Sequence, residues 1–199
     1  MNVIVSAVYT VCYLAFSVWQ CRKLKLKLRE LVIGGIACAL TVLLSSIYIP
    51  LPTGAVVSIG GKLPLILIAF LLDYRFGIAA GWLSGLLCLM LVPAWAPVHW
   101  AQVFCEHLVC LSCLGYAGIF GTKSKGRILA GASLAMALNL LGHVLSGAVF
   151  FAEYVWEGWN VYAYSLVYNL SGWVPETALT LLVVSLLPMQ TLKKALNSK

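Results

Sequence analysis

Long apolar runs, each close to the thickness of a bilayer, alternate along this chain with short polar breaks. Seven runs emerge, at roughly 2–20, 31–49, 58–73, 76–92, 99–120, 128–151 and 162–188. An α-helix rises about 1.5 Å per residue, so about 20 residues cross a hydrocarbon core. Inside lipid every backbone N–H and C=O must be satisfied within its own segment, so each run predicts a helix. The third and fourth are short and separated only by "LDYRFG", which predicts a tight helical hairpin. The first lacks a basic region before it, and its charged cluster "CRKLKLKLRE" follows instead. That order predicts a retained anchor, not a cleaved signal segment. The "KLKLKLR" alternation has the period of a strand, but at a membrane surface it reads as an extension of a helix. The expected architecture is an all-α integral membrane protein, six core helices plus one additional N-terminal transmembrane helix. The expected division is an anchor with a basic segment (1–30), a six-helix domain (31–190) and a basic tail (191–199).

Composition agrees. Of the 199 residues 62% are hydrophobic and 10% charged, with a mean hydropathy of +0.99. A soluble domain carries about 25% charged residues, so this chain has too little polar surface to cover a water-facing globule. The net charge of +7 could suggest a nucleic-acid partner, but the cations fall in short clusters between apolar runs. With the amino terminus outside, segments 22–29, 75, 123–127 and 193–199 hold twelve of the thirteen Lys and Arg residues on the inner side, and only Lys62 lies outside. The bias of cytoplasmic loops toward Lys and Arg therefore sets the orientation and removes the nucleic-acid reading. The seven cysteines are scattered through apolar runs and read as small buried residues, not as a disulfide framework.

Ionisable residues inside spans are costly and usually functional. Glu106, His143 and Asn169 lie on the fifth, sixth and seventh runs, each about 10–12 Å below the outer edge by helical rise. Three polar groups at one level predict a single pocket reached from outside. His143, Gly147 and Phe151 follow at i, i+4 and i+8 along one face, and Tyr164 stands above Asn169. Above them lies "EYVWEGWNVYAYS", 153–165, with five aromatic rings and two carboxylates. Such a pocket suits a flat, nitrogen-rich, cationic heterocycle, with the aromatic loop as its lid. Plainer readings stand beside this one. Glu106 and His143 could pair only to hold helices together, Asn169 could be an interhelical hydrogen-bond donor, and Phe151 and Tyr164 could be interfacial anchors. Glu176, two turns deeper than Asn169 and next to Pro175, is read as protonated, hydrogen-bonded and outside the main site.

A different class of function is written in "HLVCLSC". His107, Cys110 and Cys113 approach a zinc-ligand pattern and would make an intramembrane metalloenzyme. Three-residue steps on one helix splay such ligands, however, and a fourth must come from elsewhere. No phosphate-binding Gly-x-x-x-x-Gly-Lys-Ser/Thr loop, Gly-x-Ser-x-Gly elbow or His-Glu-x-x-His helix occurs, so neither ATP hydrolysis nor those hydrolytic chemistries is expected.

The segments "QVFCEHLVCLSCLGYAGIF" and "HVLSGAVFFAEYVWEGWNVYAYSLVYN", with "PTGAVVSIGGKLPLILIAF" and "WVPETALTLL", resemble the thiamine-specific substrate-binding component of energy-coupling-factor vitamin transporters, over about 31–190. The resemblance implies a bacterial plasma-membrane protein without enzymatic activity or cofactor. It would capture thiamine from outside and deliver it by toppling within a complex of a membrane scaffold protein and two ATPase subunits. By resemblance the ligand set falls on Glu106, His143, Gly147, Tyr164 and Asn169. Glu106 would balance the thiazolium charge or accept from the aminopyrimidine, His143 would stack or hydrogen-bond, and Tyr164 and Asn169 would hold the pyrimidine edge. Phe151 stands where the family carries a stacking Trp, Ala55 where some members carry another, and His107 replaces a Tyr beside Glu106; Phe151 and His107 are expected at the ligand as well. These departures keep a related ligand, hydroxymethylpyrimidine or a pyridoxine-like ring, as an alternative. The family docks its scaffold through small residues on its first core helix, here Gly34 and Cys38 in "IGGIACAL"; packing within the chain is the other reading of that step.

Overall fold

The computed structural model describes residues 2–198; Met1 and Lys199, the latter counted among the inner cations, lie outside the described residues. Helix α1 (Asn2–Cys21) is followed by α2 (Leu28–Ser45), a small antiparallel hairpin of β1 (Tyr48–Pro50) and β2 (Val56–Ser58), α3 (Leu63–Leu71) and α4 (Tyr74–Leu91). Next comes α5 (Val103–Gly118), which begins as a π-helix over Val103–Leu108 and ends as a 3-10 turn over Leu114–Gly118. The chain closes with α6 (Lys125–Phe150), α7 (Val161–Leu186) and α8 (Met189–Asn197). Among the described residues, four helices are long and apolar enough to cross a membrane, Val3–Cys21, Leu28–Ser45, Tyr74–Leu91 and Lys125–Phe150. α7 and α8 together, bent by 68°, make a fifth candidate. The protein is a multi-pass membrane protein, helical apart from the small hairpin.

Three expectations change. The third run is not a full span: α3 has nine residues, about 13 Å of helix, and the stretch before it is the β-hairpin. Gly54 makes the hairpin turn possible at φ +85°, a backbone region that only glycine enters freely, and Leu51 N–H closes the turn on the Ala55 carbonyl at 2.8 Å. The "KLKLKLR" alternation is mostly a connector, because the chain must reverse between two antiparallel helices. α2 begins only at Leu28, where the Glu30 side chain accepts from the Lys27 backbone N–H (3.1 Å). At the other end, residues 189–197 are not a free tail. Met189 is buried, the Lys193 ammonium donates to the Phe70 carbonyl at the end of α3 (3.0 Å), and Gln190 donates to the Lys123 carbonyl (2.8 Å).

α4 and α5 form the centre, with α2 and α3 on one side and α6 and α7 on the other. Close backbone approach depends on glycine. A Cβ on Gly81 or Gly85 would strike the α5 backbone at Leu111–Ser112 or His107. α1 packs on α4, α5 and α6, and it presents an unusual face to them. Ser6, Thr10 and Ser17 are buried there, Tyr13 shares a hydroxyl–hydroxyl hydrogen bond with Ser112 (2.9 Å), and Val3, Ile4, Val8, Val11 and Phe16 face outward. In lipid, apolar contact gives no drive for helices to associate, so the Tyr13–Ser112 hydroxyl bond is a physically sensible glue.

Candidate functional site

A cavity of about 510 Å³ lies between α5, α6, α7 and the β-hairpin. Glu106, His107, His143, Gly147, Phe151, Tyr164 and Asn169 all line it. The three polar groups expected at one depth therefore reach one space, although they come from three helices.

Glu106 is held by three side chains. Its Oε2 accepts from Gln102 Nε2 and from Ser146 Oγ, both at 2.6 Å, and its Oε1 accepts from His143 Nδ1 at 3.1 Å. Gln102, which caps α5, and Ser146 of α6 reach it through simple spacing: Gln102 precedes Glu106 by four residues, and Ser146 follows His143 by three. Charge-assisted donors on both oxygens fix the carboxylate's position. A neutral His143 that donates from Nδ1 keeps Nε2 as an acceptor. Asn169 uses its NH₂ on the Ser165 carbonyl (2.8 Å) and Ser165 Oγ (3.3 Å). Its carbonyl oxygen is left for another donor. The pairing of Glu106 with His143 read as helix glue is thus present, but both side chains keep about a quarter of their surface open to the cavity, 24% and 22%.

Gly147 has a second duty. A Cβ there would collide with Ser165 Oγ, so the glycine lets α6 and α7 close as well as lining the cavity. Of the aromatic loop, Phe151, Tyr154 and Tyr164 border the cavity. Trp156 stands edge-on behind Tyr164, with ring centroids 5.2 Å apart and planes at 76°, and Trp159 stands edge-on to Trp156 at 5.0 Å. Glu153 and Glu157 are exposed on that loop. Trp156 and Trp159 thus back Tyr164 without lining the cavity themselves.

His107 points elsewhere than into a metal site. Nε2–H donates to the Trp95 carbonyl (2.7 Å), and the rings of Trp95 and His107 meet edge-on at 6.1 Å. This pins the 3-10 turn Pro93–Trp95 against the cavity. Cys110 lies against the Cys105 carbonyl (3.9 Å) and against Gly142, while Cys113 is fully buried. Among the described residues no three His, Cys, Asp or Glu side chains converge to hold a metal ion. The splay of three-residue steps along one helix is the reason.

Two expectations are revised by position. Glu176 is a wall of the same cavity, not a group outside it. Its Oε1 accepts from both the backbone N–H and Oγ of Ser58 at 2.6 Å, and Oε2 pairs with the Lys62 ammonium at 2.5 Å. The carboxylate therefore has a cationic partner that helical position alone did not reveal. Gly34 and Cys38 turn inward: a Cβ on Gly34 would strike the Phe76 ring, and Cys38 Sγ lies 3.5 Å from the Ala80 carbonyl. They let α2 approach α4, so packing within the chain accounts for them.

Sequence reasoning missed the hairpin wall, Trp95, Tyr168 and Trp173. The hairpin is held to α7 by Thr53 on Ser171 (3.0 Å) and by Gly172, where a Cβ would lie 2.7 Å from the Val56 carbonyl. Ala55 sits in this wall. Tyr168 was open to discovery, since it follows Tyr164 by one helical turn and tilts against it at 6.2 Å. Trp95 was not, because it reaches the cavity from an irregular turn.

Apolar helices thus enclose a cavity furnished with a fixed carboxylate, an imidazole, an amide and rings. The chain belongs to the thiamine transporter protein (Thia_YuaJ) family, whose model matches residues 31–196. It is 30% identical over 175 residues to the thiamine transporter ThiT of Bacillus subtilis (strain 168), covering 82% of this chain and 90% of that one. It is 27% identical over 184 residues to ThiT of Lacticaseibacillus paracasei, covering 84% and 89%. A solved structure of ThiT from Listeria monocytogenes shares the fold at a TM-score of 0.72 and 21% identity, over 85% of this chain and 97% of that one. Members of the family are transporters, which removes the metalloenzyme reading. α1 lies outside the residues that the family model matches.

Proposed function

We propose that this protein binds thiamine in the cavity and serves as the substrate-capturing component of an energy-coupling-factor importer. The observation that carries the reading is Glu106, a carboxylate fixed by Gln102, Ser146 and His143 with no Lys or Arg on it among the described residues. That leaves a negative charge in a low-dielectric wall, which favours an organic cation. The acceptors His143 Nε2, Glu106 and the Asn169 carbonyl suit the donors of an aminopyrimidine, and Tyr164, Phe151 and Tyr154 supply ring faces for a flat cation. A cavity of about 510 Å³ falls in the range usual for small-molecule sites.

The cation-rich segments 22–29, 75, 123–127 and 193–194 face the cytoplasm in this reading, so the aromatic loop and the cavity mouth face outside. A scaffold membrane protein and two ATPase subunits supply the energy that this chain, without a nucleotide loop, does not. The scaffold docks on the outer face of α2, where Gly35 and Ala39 are exposed and a Cβ on Gly35 would touch nothing within 4 Å. Small residues on a lipid-facing stripe permit close helix contact.

Titration of detergent-purified protein with thiamine tests the proposal, because Trp95 and Trp173 line the cavity and should report occupancy. Saturable quenching is expected, outcompeting hydroxymethylpyrimidine and pyridoxine. Flat fluorescence together with flat calorimetry would reject it.

A further inference from the structure

Two carboxylates face the cavity, and their surroundings differ in charge. Glu106 is held by an amide, a hydroxyl and an imidazole. Glu176 is neutralised by Lys62 and locked by the Ser58 backbone N–H and hydroxyl. A cationic ring is therefore drawn to Glu106 and not to Glu176. Along α7 the step from Asn169 to Glu176 is seven residues, about 10 Å, so an elongated ligand seated beside Glu106 reaches the second carboxylate with its other end.

Ser45, Ser58, Leu140 and Trp173 line the cavity together with the Lys62–Glu176 pair. Trp173 spends its indole N–H on the Met136 carbonyl (2.8 Å) and offers only a ring face. Glu176 Oε1 is taken by Ser58. Lys62 carries three N–H donors, and its side chain is 12% exposed, so it holds donors that Glu176 does not use.

Building on the thiamine reading, we infer that Lys62 and Glu176 form a subsite for the ligand's hydroxyalkyl tail, one that accepts a free hydroxyl and rejects its phosphate ester. A hydroxyl accepts from the Lys62 ammonium and donates to Glu176 Oε2, which leaves the neutral pair intact. A phosphate monoester, with a charge of about −1.5 to −2, meets a carboxylate that the Ser58 backbone prevents from moving away. Repulsion at that distance offsets what Lys62 contributes.

The test compares thiamine, thiamine monophosphate and an analogue with hydrogen in place of the hydroxyl, each titrated by tryptophan fluorescence. In the unaltered protein thiamine should bind about fivefold more tightly than the deoxy analogue and about tenfold more tightly than the ester, as a charge-assisted hydrogen bond and a like-charge contact imply. Glu176→Gln removes the negative charge and should abolish the ester penalty. Lys62→Met should abolish the preference for the hydroxyl, so that thiamine and the deoxy analogue bind with equal affinity. Equal binding of thiamine and its deoxy analogue by the unaltered protein would overturn the subsite, as would an ester penalty that survives Glu176→Gln. If either variant fails to fold, the comparison in the unaltered protein decides alone. Loss of all thiamine binding by the unaltered protein would reject both this inference and the ligand reading beneath it, whereas thiamine binding with unchanged ratios rejects only the subsite.

Discussion

Glu106→Gln keeps the side chain's shape and removes its charge, so it isolates what the carboxylate contributes. At about 4 Å and an effective dielectric near 20, a unit charge pair interacts by about 4 kcal/mol. Part of this is already spent in the free protein, where Gln102, Ser146 and His143 all donate to the carboxylate. A net loss of about 2–3 kcal/mol remains, which weakens binding by about 30- to 150-fold. The same change has a folding cost. The new NH₂ must face one of three donors, and an opposed or unpaired buried donor costs about 1–3 kcal/mol. Calorimetry gives the affinity, and thermal unfolding of the ligand-free variant gives the folding cost separately. The control is an analogue whose cationic ring is replaced by a neutral one; it should lose far less affinity than thiamine. A variant that binds thiamine within threefold of the unaltered protein, or that loses the neutral analogue equally, would refute the assignment of Glu106 as the cation's partner.

Three further outcomes follow from contacts outside that carboxylate. Gly172→Ala should push the Val56 carbonyl of the hairpin, 2.7 Å from the added Cβ, and cost about 1–3 kcal/mol; urea titration and ligand affinity should both shift, and a neutral result would deny the hairpin its seat on α7. His107→Phe removes the donor to the Trp95 carbonyl; freed from that anchor, the 93–95 turn should change the fluorescence response to ligand, and the fold should lose about 1–3 kcal/mol. Tyr13→Phe breaks the bond to Ser112 and should lower stability by about 0.5–1.5 kcal/mol with ligand affinity unchanged, since α1 does not line the cavity; an affinity loss would link α1 to the site.

Helix positions were legible because lipid enforces them. A run of about 20 apolar residues has few alternatives in a bilayer, and counting rise from the loop ends was enough to bring Glu106, His143 and Asn169 to one level. What hydropathy could not show is where an apolar run is too short or is not helical. The apolar run 58–73 opens on the last residue of the strand Val56–Ser58, which lies against the cavity, and holds only the short helix Leu63–Leu71. Lys62, between them, counts as a loop cation by topology; the hairpin instead folds back beneath α7 and delivers its ammonium to Glu176. Pairings like this join residues 114 positions apart, and no local pattern encodes them.

The π-helix that carries Glu106 shows why local geometry and site belong together. Wide turns of this kind insert one residue into a helix and re-aim the side chains that follow, and they recur at functional sites. Here the wide turn occupies Val103–Leu108, directly after the irregular 96–102 segment, and ordinary α-helix resumes at Val109. An unbroken α-helix over the same residues would advance 100° at each step. Gln102 and Glu106 would then share one face, about 100° wide, with the buried Val109, Cys110 and Cys113, and His107 would stand about 140° from Gln102. In the wide turn Gln102 and Glu106 stay bonded to each other and face the cavity, while His107 is released to grip the Trp95 carbonyl. Gly85 on α4 holds the turn from behind, since any Cβ there would strike the His107 carbonyl. The carboxylate's aim thus depends on a glycine on another helix, and Gly85→Ala should disturb ligand affinity through Glu106 although Gly85 does not line the cavity.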